Sequence, residues 1–247
     1  MSRLLAAVSA KPIPAKLLLA FRALADGGRT PKDFGCPQPD PKPGHPDGWG
    51  IACVGEGEEV YRRGAKKATA DPAYEEAVKA VARMANPPFL LVAHVRRSPR
   101  RDQVKEEFSH PFRREVGGRP VFFAHDGAIE GYEVREGRTD SLVVFDRLLD
   151  ALGPEPRPEA ELKQAVAQAK EGLDAAFPRR VTSYTFLMLD GDRIVGHRDA
   201  RTCVPYFALH EATREGLGIV CSEVLAGFEG KWRLLRNGEF LLVPARS

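Results

Sequence analysis

Cysteine is scarce and scattered in this chain. Only Cys36, Cys53, Cys203 and Cys221 occur among its 247 residues. No two of them form a C-x-x-C pair, which argues against a zinc ribbon and a thioredoxin-type redox motif. The histidines lack metal spacing as well, so neither a metal nor a cofactor is expected. A reduced, cytoplasmic protein is the simplest reading of so few thiols. Long apolar runs are also missing. None approaches the roughly 20 residues of a membrane span, so no membrane is expected. The start lacks a signal peptide, because Lys11, Pro12 and Pro14 interrupt it early. Charge excess is small: a net +3 does not argue for nucleic acid. The one basic run, Arg96-Arg97-Ser98-Pro99-Arg100-Arg101, reads beyond Arg96 as a solvated loop. There are no repeats and no low-complexity segments.

What is present is globular. Hydrophobic residues make up 43% and charged residues 29%, enough to bury a substantial core. Arg3 to Ser9 reads as a strand beginning almost at the first residue, so the N-terminus is expected to be anchored. Lys16 to Leu24 has helical spacing, and Thr30 to Pro46 reads as a long functional loop. Asp47 to Val54 leads through Gly48 and Gly50 into a strand that returns over Glu59 to Arg62. Asp71 caps a helix from about Pro72 to Met84. Phe89 to Val95 and Val121 to Ala124 are apolar runs that end in polar residues, as buried strands do at functional loops. Helices follow from Thr139 to about Leu152 and from about Glu159 to Ala176. The last third reads as short strands: Tyr184–Leu189, Ile194–His197, Tyr206–Leu209, Ile219–Ser222, Trp232–Leu235 and Glu239–Val243. Asp190-Gly191-Asp192 and Asn237-Gly238 read as hairpin turns. Strands joined mainly by hairpins, with helices between groups of them, indicate an α+β fold of antiparallel sheets covered by helices.

Five polar clusters sit at the ends of these runs: Ser2, Asp47-Gly48-Trp49-Gly50, His94-Val95-Arg96, His125-Asp126-Gly127 and Thr139-Asp140. Their order resembles the class II glutamine amidotransferases of the N-terminal nucleophile (Ntn) hydrolase type, especially small stand-alone bacterial members. Asp47-Gly-Trp-Gly-Ile-Ala looks like the family's D-G-W-G-I-A strand, and Ala93-His-Val-Arg like its H-x-R strand end. His110-Pro111-Phe112, Ala124-His-Asp-Gly and Thr139-Asp-Ser have counterparts too, as do Gly196-His-Arg-Asp and Cys221-Ser-Glu. The resemblance covers nearly the whole chain, so a single domain over residues 1–247 is expected. It implies a four-layer αββα sandwich of two antiparallel sheets. It also implies removal of the initiator Met, with residue 2 as nucleophile and its own α-amine as base. Arg96 would clamp the substrate α-carboxylate and Asp140 its α-ammonium. Gly127 and position 126 would form the oxyanion site, and Gly48 and Trp49 would line the substrate pocket. Glutamine or a γ-glutamyl amide is the implied substrate. No synthase domain is attached, so a separately encoded synthase is the candidate partner.

The departures fall on the chemistry. Ser2 stands where the family has cysteine, Asp126 where it has asparagine, and Leu142 where it usually has glutamate. Serine depends wholly on a base, and an ionised aspartate cannot donate to an oxyanion. Two functions fit these residues. One is weak hydrolysis of glutamine or a γ-glutamyl amide through Ser2. The other is a catalytically degraded relative that binds such a ligand, or a protein partner, without turnover. Taken singly, Arg96 also fits a solvated arginine, Asp140 a helix cap and Asp126-Gly127 a plain turn. His94, His110 and His125 read as structural.

Overall fold

The computed structural model describes residues 2–37, 43–98, 100–135, 137–228 and 230–245. Met1, on which the expected initiator removal turns, lies outside them. Numbered in chain order, one sheet contains β1 (Ser2–Ser9), β2 (Trp49–Gly55), β3 (Glu58–Gly64), β4 (Phe89–Arg96), β9 (His210–Arg214), β10 (Leu217–Cys221) and β11 (Arg233–Leu234). Their spatial order is β11-β9-β10-β1-β4-β2-β3. The second sheet contains β5 (Phe112–Val116), β6 (Arg119–Asp126), β7 (Thr185–Asp190), β8 (Arg193–Arg198) and β12 (Glu239–Pro244), in the order β12-β8-β7-β6-β5. Every pairing in both sheets is antiparallel.

Period-two alternation builds the layers. Leu4, Ala6 and Val8 of β1, with Leu90 and Val92 of β4, face Phe122 and Ala124 of β6 and Leu187 and Leu189 of β7 between the sheets. The opposite faces of β1 and β4, including Leu5, Ala7, Leu91 and Ala93, pack against α1 (Ala15–Arg22) and α3 (Pro72–Ala82). A four-residue helix, α2 (Leu24–Gly27), follows α1. Val121 and Phe123 of β6 face α4 (Asp140–Leu152) and α5 (Glu159–Ala176). The result is the expected four-layer αββα sandwich. Because β1 lies inside its sheet, between β10 and β4, the N-terminal strand is anchored on both sides. Among the described residues, no helix is long and apolar enough to cross a membrane.

Four local expectations are corrected. Tyr206–Leu209 is not a strand: Tyr206 and Phe207 turn inward to form a small separate cluster with Ala200. The strand is the more polar His210–Arg214 beside it, paired to β10 by backbone hydrogen bonds that its side chains do not advertise. Trp232–Leu235 shrinks to the two residues of β11. Asn237-Gly238 is not a hairpin turn, because β11 and β12 belong to different sheets. The Asn237 side chain instead bonds both backbone groups of Ala200, at 2.7 and 3.0 Å, and so directs the chain from one sheet to the other. Finally, Cys36 and Cys203 form a disulfide, where scattered thiols had suggested a reduced protein. They stand 167 residues apart with Cα atoms 5.8 Å apart, so only the fold brings them within bridging range. Cys53 and Cys221 are free and buried.

Candidate functional site

The alternation that fills the inter-sheet layer also aims the polar residues. Ser2 continues the inward series of Leu4, Ala6 and Val8; His94 and Arg96 continue that of Leu90 and Val92; Asp126 continues that of Phe122 and Ala124. Ser2 and Arg96 are direct partners across the β1–β4 ladder. Cβ atoms of such partners lie about 4.5–5.5 Å apart. Ser2, His94, Arg96 and Asp126 are all almost wholly buried.

The Asp47–Gly48 segment extends this end of the sheet. Asp47 N–H donates to the Arg96 carbonyl at 2.8 Å and Arg96 N–H to the Gly48 carbonyl at 2.9 Å. Gly48 adopts φ 135°, and a Cβ there would meet Ser109 Oγ at 2.5 Å. Only glycine accommodates both the conformation and the close approach. The Arg96 guanidinium donates to the Gln103 carbonyl at 2.6 Å. Burial depresses its pKa, and the carboxylates of Asp47 and Asp140 oppose that shift.

Asp140 is not the cap of α4. Thr139 is, accepting the Leu142 N–H at 3.3 Å. Asp140 instead accepts the Ile129 N–H at 3.0 Å and the Ser141 N–H at 2.8 Å, one on each carboxylate oxygen. It thereby ties the start of α4 to the chain just beyond Gly127. Each oxygen keeps a further lone pair with which to accept from a ligand. His125 braces the same junction: Nε2 lies 3.0 Å from the Ser183 carbonyl and Nδ1 3.0 Å from Ser141 Oγ. The carbonyl can only accept, so the proton is assigned to Nε2 and Nδ1 receives the serine hydroxyl. Gly127 is confined by the same contacts, since a Cβ there would meet the Ser183 carbonyl at 2.2 Å. Among the described residues its N–H makes no hydrogen bond.

Asp126 is the electrostatic anomaly. Oδ2 lies 3.7 Å from the Arg3 guanidinium, and Oδ1 is buried without a partner among the described residues. Burial lifts its pKa from 3.8 to about 6, against the pull of the amino terminus, Arg3 and the Ser2 N–H. Arg3 is itself held by Glu223 at 2.5 Å and lies over the Tyr206 ring, 4.2 Å from its centre. The Tyr206 hydroxyl donates to the Ser2 carbonyl at 3.3 Å. The sequence reading assigned no role to Arg3, Tyr206 or Gln103. A signal existed for Glu223, in the Cys221-Ser-Glu match. Arg3 and Tyr206 carried none, because their contacts are made across the fold, and Gln103 carried none, because it offers Arg96 only its backbone carbonyl.

Trp49 lies apart from these residues. Its indole is fully buried in the outer core, edge-on to Tyr74 at 5.0 Å, and donates to Asp71 at 2.9 Å. Asp71 is the N-cap of α3, so the Trp49 side chain braces a helix start and does not line the inter-sheet site. His94 faces inward at the site's floor, its ring tilted against that of His110 with centroids 4.3 Å apart and neither ring nitrogen hydrogen-bonded among the described residues. Burial, with Arg96 nearby, drives its pKa well below the usual histidine range, so it is neutral.

Comparison with known proteins gives the family and agrees with the fold. The chain is 33% identical over 117 residues to the putative glutamine amidotransferase YafJ of Escherichia coli, a match covering 44% of this chain and 43% of that protein. It is 28% identical over 170 residues to an uncharacterised protein of Methanocaldococcus jannaschii, covering 64% and 44% respectively. The matches thus span less than half the length of these curated relatives. Among solved structures, a class-II glutamine aminotransferase domain protein from Silicibacter pomeroyi aligns over 98% of this chain and 94% of its own, with a TM-score of 0.58 and 22% identity. The glutamine phosphoribosylpyrophosphate amidotransferase of B. subtilis aligns over 98% of this chain and 47% of its own, with a TM-score of 0.62 and 13% identity. At these identities the solved structures establish the fold alone. The family profile described as "Glutamine amidotransferases class-II" matches residues 1–217, and the chain belongs to that family.

Proposed function

We propose that this chain, as one domain over residues 1–247, binds glutamine or a γ-glutamyl amide and hydrolyses it at most slowly through Ser2. The α-carboxylate sits at Arg96, the α-ammonium at Asp140, and the carbonyl oxygen of the side-chain amide at the Gly127 N–H. The observation that carries this reading is the pairing of Ser2 with Arg96 across β1 and β4, with the Asp140 carboxylate bonded to the chain just beyond Gly127. A nucleophile and a two-charge clamp then share one end of the inter-sheet layer. A small zwitterion is the ligand whose charges complement them.

Slow turnover follows from Asp126. The Ser2 backbone N–H favours the ionised Asp126, so a free α-amine at Ser2 would face the same carboxylate. An ionised Asp126 holds that amine as ammonium above its ordinary pKa of about 7.7–8.0, which removes the base that serine needs. The same carboxylate opposes the negative charge that forms on the amide oxygen. Losing an oxyanion donor alone costs about 10² to 10³ in rate. Binding without turnover is the second reading, and the burial of Asp126 beside Ser2 favours it.

The test combines calorimetry with millimolar glutamine, glutamate and γ-glutamyl compounds and an ammonia-release assay. The assay compares the parent, Ser2→Cys, Asp126→Asn and the double variant, with intact mass reporting the state of Met1. Binding with negligible parent turnover is expected. Substantial activity should come only from the double variant with Met1 removed, since these groups act as a unit. Robust ammonia release by the parent would place Ser2 among working nucleophiles, and absence of any binding would refute the clamp.

A further inference from the structure

The disulfide is the feature that the proposed function leaves unused. Cys36 lies two residues past a short 3-10 helix, Pro31–Phe34, and Cys203 lies in the turn before Tyr206. Both half-cystines are only partly buried. The path from the bridge to the nucleophile is short and continuous. Phe34 meets the Tyr206 ring edge-on at 6.3 Å. Tyr206 is fully buried, and its hydroxyl contacts both the Ser2 carbonyl and His45 Nε2 at 3.3 Å. Its ring carries the Arg3 guanidinium, which reaches Asp126. From the other side, Arg29 lies 4.8 Å over Phe34 and bonds Glu223, the partner of Arg3.

Apolar packing in this wall is thin, and its other ties are polar: Arg198 donates to the carbonyls of Val204 at 3.0 Å and Phe207 at 2.9 Å. Ala200, Tyr206 and Phe207, with Phe34 and Cys203 packed on them, form a cluster separate from the three larger cores. Cys203 itself adopts φ 40°, a left-handed conformation unfavourable for a residue with a side chain. Segments with few buried apolar contacts open locally at low free-energy cost, and a covalent tether is what resists that opening.

We propose that the Cys36–Cys203 disulfide is a redox latch: oxidised, it seats Tyr206 behind Ser2 and Arg3; reduced, it releases that wall and weakens ligand binding at the site. The effect on ligand rests on the glutamine-binding reading above, whereas the release of the wall does not. A dithiol reductant opens the bridge in two exchanges. One of its thiolates attacks the Cys36 sulfur, and the Cys203 thiolate leaves. The second then attacks the reductant's own sulfur in the mixed disulfide, and the Cys36 thiolate leaves. The reductant ends as a cyclic disulfide, and each cysteine takes up one proton.

The experiment uses the full chain, purified without reductant. Thiols are counted in denaturant, and amide exchange and glutamine calorimetry are run before and after treatment with dithiothreitol. Two thiols, Cys53 and Cys221, should be counted before reduction and four after. Reduction should speed exchange at residues 204–209 and 2–4 at least tenfold and weaken glutamine binding at least fivefold. The Cys36→Ser/Cys203→Ser double variant should match the reduced parent and ignore dithiothreitol. Four thiols in the untreated protein would overturn the latch. So would unchanged exchange on reduction, or a double variant that exchanges and binds like the oxidised parent. If the oxidised protein binds no glutamine, the proposed function falls, and the exchange result alone decides the latch.

Discussion

Replacing Asp126 by asparagine should stabilise the protein in a pH-dependent way, and the size follows from the burial of that carboxyl. Its pKa rises from 3.8 to about 6 on folding, with Arg3 and the Ser2 N–H only partly offsetting desolvation. At 1.36 kcal/mol per tenfold, that rise corresponds to about 3 kcal/mol. The sign is fixed by proton counting. Between pH 3.8 and about 6 the folded protein retains a proton that the unfolded chain has released. This group's contribution is therefore complete below its unfolded pKa and is lost as pH rises through about 6. Asparagine carries no such proton. The stability of Asp126→Asn relative to the parent should thus become more favourable by about 3 kcal/mol between pH 4 and pH 8. For a chain of this size that is a relative Tm gain of about 6–12 °C. The buried histidines titrate alike in both proteins and cancel from the difference. Urea denaturation of both at pH 4, 6 and 8 reads it directly. A difference flat to within about 0.5 kcal/mol would mean that Asp126 is not desolvated in the folded state.

Other outcomes follow from neighbouring features. Arg96→Ala should weaken any glutamine or glutamate binding seen by calorimetry by about 1.5–3 kcal/mol, the worth of hydrogen bonds to a charged group. Trp49→Phe should lower stability by about 1–2 kcal/mol through the lost bond to Asp71, yet leave glutamine affinity unchanged; a large affinity loss would return the indole to the site. Reducing the disulfide should lower the thermal midpoint, because closing a loop across a separation of 167 residues constrains the unfolded chain by up to about 5 kcal/mol. Burial keeps His45, His94 and His110 neutral by depressing each pKa. Their contribution is present above the unfolded value of about 6.5 and is lost as pH falls below it. In the Asp126→Asn background, stability should therefore decline between pH 7 and pH 5; a rise over that range would contradict their neutrality.

The sequence by itself determined the layers. Unbroken or alternating apolar residues in Leu4–Val8, Phe89–Val95 and Val121–Ala124 require burial on both faces of a strand, and helical spacing from Asp140 and from Pro72 supplies the covers. It also determined the order of the polar clusters at the strand ends, and hence the family, because motif order is a property of the chain. What it left open were the partners those clusters meet. Trp49 sits inside a motif but points to the opposite face of its sheet, since strand residues alternate and only register assigns the face. Asp140 stood as a candidate helix cap until Thr139 was found to hold that position and Asp140 to bond Ile129. The disulfide and the Tyr206–Ser2 contact join residues 167 and 204 positions apart. No local propensity encodes such pairings. They are decided when the sheets stack, because the burial that closes the core leaves Arg3, Asp126 and Tyr206 no solvent and only groups from distant parts of the chain as partners.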